Sequence, residues 1–370
     1  MTPRKVPFFN YAALFKQREE EYLDLMREVL SRGAFILQRD LEHFEQNLAE
    51  YLDVNYVLGV ADGTNALKLS LIAAGVESGD EVIVPSHTYV ASAAAIHYVG
   101  ANPVFVECGS DHLMDVDAIH DAISPKTRCL MPVQLNGRTA NMDRIQAISE
   151  DTGIPIVEDS AQALGSKFKG KSAGSFGVAG TFSFYPAKVL GCFGDGGAVI
   201  TNDPEVAERI SLLRDHGRNE KGEVITWGTN CRLDNLQAAV LDLKLKSFDD
   251  DVARRREIAR RYIDGLNQID ALVLPPGPED DSDHFDVYQN FEIECEQRDE
   301  LQAFLSAAGI GTIVQFGGKP VHMYPLGFEK TPLPKTEKLY ERMLLLPMHT
   351  ALSDEDIGFV IEKIRSFYAV

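Results

Sequence analysis

From about residue 40 to residue 245 the chain alternates two kinds of pattern: apolar positions recurring at helical spacing, and short unbroken apolar runs. Residues 65–74 predict a helix, with Leu67, Leu71 and Ala74 on one face and Gly75 as its stop. The runs at 81–84, 103–106, 129–133 and 154–157 predict strands, and between the last two Asn141 can cap a helix carrying Ile145 and Ile148. Further strands are predicted at 182–184 and 198–201, a helix at 204–214, and a long helical region at 234–266. Helices alternating with buried runs imply an α/β fold: three layers around a mostly parallel, mixed central sheet. After the acidic, proline-rich stretch Pro275–Asp283 the pattern changes to strand 287–293, helix 298–308, strand 311–315, strand 344–346 and helix 354–368. That reads as a smaller C-terminal α+β domain. The expected division is a large domain at 1–245, including an N-terminal arm, and a linking helix with the small domain at 246–370.

Composition leaves this picture intact and narrows the function. The 370 residues are 45% hydrophobic and 25% charged, near globular averages and enough for two domains. A net charge of −20 argues against a nucleic-acid footprint or docking on anionic lipid, both of which need a basic face. Five cysteines without C-x-x-C spacing, no N-terminal apolar leader and no long apolar stretch point to a cytoplasmic chain with no membrane span. Arg254, Arg255, Arg256, Arg260 and Arg261 are expected to form a solvated face or a subunit contact. Nine histidines show no H-E-x-x-H spacing, so no metal site is expected.

Lys188 carries the candidate chemistry, because it sits between an aromatic strand, Phe182 to Tyr185, and a glycine-rich turn, Gly194 to Gly197. A lysine enclosed there is placed to lose its charge and form a Schiff base, and taken alone it reads equally as a surface lysine that keeps its head in water beside a glycine-rich turn. Upstream, the run 154–157 leads into Glu158-Asp159, at the carboxyl end of a buried parallel strand, where ligands of open α/β sheets bind. A carboxylate to keep a pyridine nitrogen protonated and an amine to hold an aldehyde are what pyridoxal 5'-phosphate requires. Asp159 serves equally as a helix N-cap. Gly63-Thr64 opens the first predicted helix, where free N–H groups and the helix dipole can receive a phosphate, although Asp62 or Thr64 can also be a simple cap. Ser183, five residues before Lys188, could offer its hydroxyl to the same phosphate. Gln162, three residues after Asp159, can donate to a ring oxygen.

Six segments in order, Asp62-Gly-Thr-Asn-Ala-Leu67, Pro85-Ser-His-Thr-Tyr-Val-Ala91, Val157-Glu-Asp-Ser-Ala-Gln162, Phe182-Ser-Phe-Tyr-Pro-Ala-Lys188, Gly194-Asp-Gly-Gly197 and Gly228-Thr-Asn-Cys-Arg232, carry a resemblance. With them the chain resembles the DegT/DnrJ/EryC1/StrS family of nucleotide-sugar aminotransferases, of the aspartate-aminotransferase fold type. The resemblance implies pyridoxal phosphate tethered to Lys188, Asp159 at its ring nitrogen, Gly63 and Thr64 at its phosphate, and Tyr89 stacked over its ring. It also implies that Asn230 crosses a homodimer interface to the partner's phosphate, so that each active site is shared. Two stretches depart from the family pattern: Gln134-Leu-Asn-Gly-Arg138, and Gln315-Phe-Gly-Gly-Lys-Pro-Val-His322, where Lys319 and His322 could meet sugar or diphosphate groups.

By this resemblance the chain moves nitrogen from L-glutamate to a keto-deoxy sugar on a nucleoside diphosphate, in amino sugar biosynthesis such as that of lipopolysaccharide or other glycans. The lysine loop resembles enzymes that aminate C3 more than those that aminate C4. A cyclitol aminotransferase acting on a keto-inositol uses the same cofactor set without a diphosphate pocket. A non-catalytic regulator on the same fold would have no use for Lys188, Asp159 and Gly63-Thr64 together.

Overall fold

The computed structural model describes residues 4–328 and 331–369. Strands Tyr56–Val60, Gly197–Thr201, Ala179–Ser183 and Val157–Asp159 lie side by side in that order, and Asn102–Val106, Glu81–Pro85 and Thr127–Leu130 form an all-parallel run. Parallel bridges from Leu130 to Ile156 and from Val133 to Asp159 join the two runs. The result is one mixed sheet in which Gly197–Thr201 alone runs against its neighbours.

Alternation along single strands builds the three layers. In Gly197–Thr201, Ala198 and Ile200 pack with Leu41, Phe44 and Leu48 of helix Arg39–Leu52, while Val199 turns to the other face with Ala66 and Leu69 of helix Gly63–Ala73. Strands such as Glu81–Pro85 are buried almost throughout because helices cover both faces. The expected α/β architecture with a smaller α+β unit is what the structure has.

The C-terminal unit is an antiparallel sheet, Leu272–Val273, Phe291–Cys295 and Met343–Leu346, backed by helices Arg298–Ala307 and Asp354–Phe367. Helix Phe248–Leu266 ties it to the rest: Phe248 and Val252 sit in the core beneath the large sheet, and Ile258, Tyr262 and Leu266 in the core of the small one. Val6 is fully buried in that second core and bridges Ile310, so the N-terminal segment is held by the C-terminal unit.

Several expectations change. The helical region 234–266 is two helices, Asn235–Leu245 and Phe248–Leu266, because Ser247 leaves helical geometry at φ −119°. The strand expected at 311–315 reduces to one bridge between Ile313 and Leu345, and the chain then curls through Phe316, Gly317 and Gly318, all at positive φ. The arginine run is not one solvated face. Arg255 is buried and donates to the carbonyls of Tyr288, Gln289 and Met348, and Arg256 donates to those of Asp286 and Pro278. Carbonyls at the edge of the C-terminal unit require donors, and a guanidinium supplies several in a fixed fork.

Candidate active site

The carboxyl ends of strands Val157–Asp159 and Ala179–Ser183 open into a cavity of about 770 Å³. Gly63, Thr64, Tyr89, Asp159, Gln162, Ser183 and Lys188 all line it, drawn from four separate stretches of chain. Glycine makes the approach possible at two points. A Cβ on Gly63 would lie 2.9 Å from the Ser183 Cβ, and one on Gly197 would lie 2.5 Å from the Asp62 carbonyl carbon. The helix N-terminus can therefore rest against the strand end only as the sequence stands.

Asp62 does cap helix Gly63–Ala73, accepting from the Asn65 amide at 2.8 Å. That leaves the amides of Gly63 and Thr64 without partners among the described residues, facing the cavity at the positive end of the helix dipole. Capping and anion binding are thus combined. The Ser183 hydroxyl oxygen accepts from the Tyr185 amide at 3.3 Å, so its proton remains available to the same point.

Lys188 is hemmed in by protein, and among the described residues nothing hydrogen-bonds its Nζ. Burial brings its pKa down to about 8, and the nearby Asp159 carboxylate only partly opposes that. Asp159 is buried, accepting from Ser92 Oγ at 2.7 Å and from the Ala161 amide at 3.2 Å. Burial pushes its carboxyl upward, against the pull of these donors and of Lys188. A carboxylate so placed is stabilised by a cation at its open side, as a protonated ring nitrogen would be. The cavity, the orphan amides, the unbonded amine and the buried carboxylate fit pyridoxal phosphate.

Tyr89 is half exposed at the rim, its ring 5.8 Å from that of Phe316. Three expected residues stand apart from the cavity. Asn230 is exposed, its backbone bridged to Asp215. Lys319 is exposed on the loop beyond Phe316. His322 is fully buried: Nδ1 pairs with Ser86 Oγ at 2.7 Å and Nε2 with Glu337 at 3.3 Å, so no ring nitrogen is left to meet a sugar. It is a packing histidine here.

Other residues of the site escape a reading of the sequence. Gln162 Oε1 accepts from the Asn136 amide at 2.9 Å and from Asn290 Nδ2 at 3.3 Å. Asn136 in turn donates to Glu292 and accepts from Asn290 and Gln315. Glu292 is buried, and the His112 imidazolium, which it and Glu294 raise to about 10, holds its carboxyl below the usual range. Glu158, Asp159's neighbour, accepts from the amides of Gly174, Phe176 and Gly177 and from Gln134, pinning the loop before Ala179–Ser183. The departure at Gln134 to Arg138 was the one available signal for Asn136.

Comparison with known proteins agrees with this geometry. The model of the DegT/DnrJ/EryC1/StrS aminotransferase family matches residues 16–365. A dTDP-3-amino-3,4,6-trideoxy-alpha-D-glucose transaminase from Streptomyces venezuelae is 41% identical over 99% of this chain and 97% of its own. The crystal structure of S. venezuelae DesV in complex with a ketimine intermediate superposes with a TM-score of 0.94 at 40% identity, covering 99% of each chain. The PLP-form of a putative sugar aminotransferase from Streptococcus pneumoniae superposes with a TM-score of 0.87 at 28% identity, covering 95% of this chain and 97% of that one.

Proposed function

This chain belongs to the DegT/DnrJ/EryC1/StrS aminotransferase family, and we propose that it transfers an amino group from L-glutamate to C3 of a keto-deoxy sugar carried on a nucleoside diphosphate, with pyridoxal 5'-phosphate as cofactor. The observation that carries this reading is the unbonded Lys188 amine, sharing one cavity with the buried Asp159 carboxylate and the free amides of Gly63 and Thr64. The S. venezuelae relative is named for a product with its amine at C3. That supports C3 over C4 amination and over a cyclitol ketone.

Gly63, Thr64 and Ser183 would hold the cofactor's phosphate, Asp159 its ring nitrogen, Gln162 a ring oxygen, Tyr89 its face and Lys188 its aldehyde. When bound, the cofactor supplies an aldehyde that carries nitrogen and a ring that accepts the electron pair released at a neighbouring carbon. Lys188 is the proton carrier. With a pKa near 8 a useful fraction of its amine is neutral at physiological pH, able to take a proton from the donor's α-carbon and to return one to the sugar carbon that gains nitrogen. Asp159, whose carboxylate form Ser92 and the Ala161 amide favour against the upward push of burial, would hold positive charge at the ring nitrogen.

A homodimer with shared sites completes the reading. The segment leading to exposed Asn230 displays Val224, Ile225 and Trp227, the last 94% exposed, an apolar surface suited to a second subunit. Asn230 would reach the partner's phosphate site from there. Five buried free cysteines support a reducing cytoplasm, and among the described residues no helix is long and apolar enough to cross a membrane.

The test is turnover. Cofactor-loaded protein is incubated with glutamate and a panel of 3-keto sugar nucleotides, 4-keto sugar nucleotides and cyclitol ketones, and the products are weighed by mass spectrometry. Amination confined to the 3-keto nucleotides supports the reading; amination confined to cyclitol ketones sinks it.

A further inference from the structure

A second cavity of about 420 Å³ lies against the other side of the lysine loop. Lys188 lines both cavities, with Tyr185 facing the first and Pro186 to Phe193 facing the second. The remaining walls come from the N-terminal segment and from helices Asn235–Leu245 and Phe248–Leu266.

The charge of this wall is unlike the rest of the protein. Arg18, Lys188, Lys244 and Arg255 line the cavity beside one carboxylate, Asp251, in a chain whose net charge is −20; Arg18 is also paired with Glu21 at 2.8 Å and donates to Ser247 Oγ at 2.9 Å. Lys244 Nζ donates to the Gly191 carbonyl at 2.5 Å and stands 4.5 Å from the Phe193 ring centroid, with no carboxylate bonded to it. Arg255 uses Nη1 on three carbonyls and leaves a buried Nε with no partner. Asp251 acts on both cations only across space. Burial accordingly draws Lys244 down to about 8 and Arg255 to about 10, and pushes the Asp251 carboxyl up. Lys244 and Arg255 are thus partly or fully buried with no bonded carboxylate among the described residues, which is costly, and the cost falls when a ligand brings the missing counter-charges.

We propose that this cavity binds an amino dicarboxylate, with its two carboxylates on Arg18, Lys244 and Arg255 and its ammonium toward Asp251. The assignment rests on the reading that the enzyme draws nitrogen from such a donor. A molecule held there would lie against the back of the loop that carries the reactive amine.

Glutarate is the probe, because it has both carboxylates and no amine that could exchange with Lys188 at the cofactor. Calorimetry on the holoenzyme is expected to show saturable glutarate binding, with the cofactor's absorbance unchanged. Lys244→Met should weaken it at least about tenfold, the loss of a charge-assisted hydrogen bond, while Asp251→Asn should not weaken it. Because Lys244 also holds Gly191, Arg18→Met is the second variant, expected to weaken glutarate severalfold with the loop intact. Absent binding, or wild-type affinity in both cation variants, overturns the proposal. The donor reading is tested separately: if glutamate leaves the absorbance of the wild-type cofactor unchanged, that reading fails whatever glutarate does.

Discussion

The backbone amide of Asn136 donates to Gln162 Oε1 at 2.9 Å. An N–H can only donate, so this contact fixes the amide's orientation and leaves Gln162 Nε2 as a donor toward the cavity. Gln162→Leu, which removes that donor and strands the Asn136 amide, should weaken cofactor binding about tenfold, in line with about 1–3 kcal/mol for a buried unmet group. Titrating the apoprotein with cofactor by absorbance checks it; wild-type affinity would show that the amide has no cofactor role.

Asn136 itself holds φ +57° and bonds Glu292, Asn290 and Gln315 through its side chain. Asn136→Gly keeps the backbone conformation and deletes only the bonds, so it isolates their contribution, about 1–3 kcal/mol of stability. Urea unfolding measures this. A loss no larger than that of a surface substitution would mean the network is not structural.

Lys188 gives a pH signature in the apoprotein. Its folded pKa is about 8 against an ordinary 10.5, so below pH 8 the native state carries a charged amine it disfavours. As pH rises from 8 to 10.5 the native state has shed a proton that the unfolded chain still holds, and stability rises. Lys188→Met should therefore be more stable than the wild type at pH 7, by roughly 1–3 kcal/mol, with the gap closing toward pH 10.5. A gap independent of pH would place the amine in water.

The Ser92 hydroxyl donates to Asp159 and opposes the upward push of burial on its carboxyl. Ser92→Ala should move the acidic limb of the kcat profile to higher pH, because the carboxylate then protonates more readily. Asp159→Asn should lower kcat by about 10²–10⁴-fold at every pH, the usual scale for a group that governs proton transfer. An unmoved acidic limb in Ser92→Ala would remove Ser92 from this role.

Trp227 is the most exposed of the large apolar side chains on the segment before Asn230. Trp227→Ser should weaken self-association, read as a lower mass by light scattering at low micromolar concentration. If the variant keeps the wild-type mass, the dimer contact lies elsewhere.

The sheet was legible because each strand is a short apolar run bounded by polar turns, and strand ends shifted in either direction, later at 154–157 against Val157–Asp159 and earlier at 182–184 against Ala179–Ser183 and at 129–133 against Thr127–Leu130. Asp159 and Gly63 were legible because each sits at an element boundary, and Lys188 because an aromatic strand and a glycine-rich turn flank its loop. Contacts between distant residues were not. His322 is buried by Ser86, 236 residues away, and Asn136 meets Glu292 across 156 residues. Arg255 looked like its neighbours in the arginine run until the carbonyls of the C-terminal unit closed over it.

Nitrogen from glutamate is expected to arrive at C3 of a nucleotide-linked sugar. Its most direct test is ¹⁵N-glutamate with a 3-keto sugar nucleotide and catalytic holoenzyme, followed by ¹³C–¹⁵N coupling in the product's NMR spectrum. Coupling at C3, absent with Lys188→Ala, is the predicted result. Label at C4, or nitrogen that enters equally well with Lys188→Ala, would contradict the account.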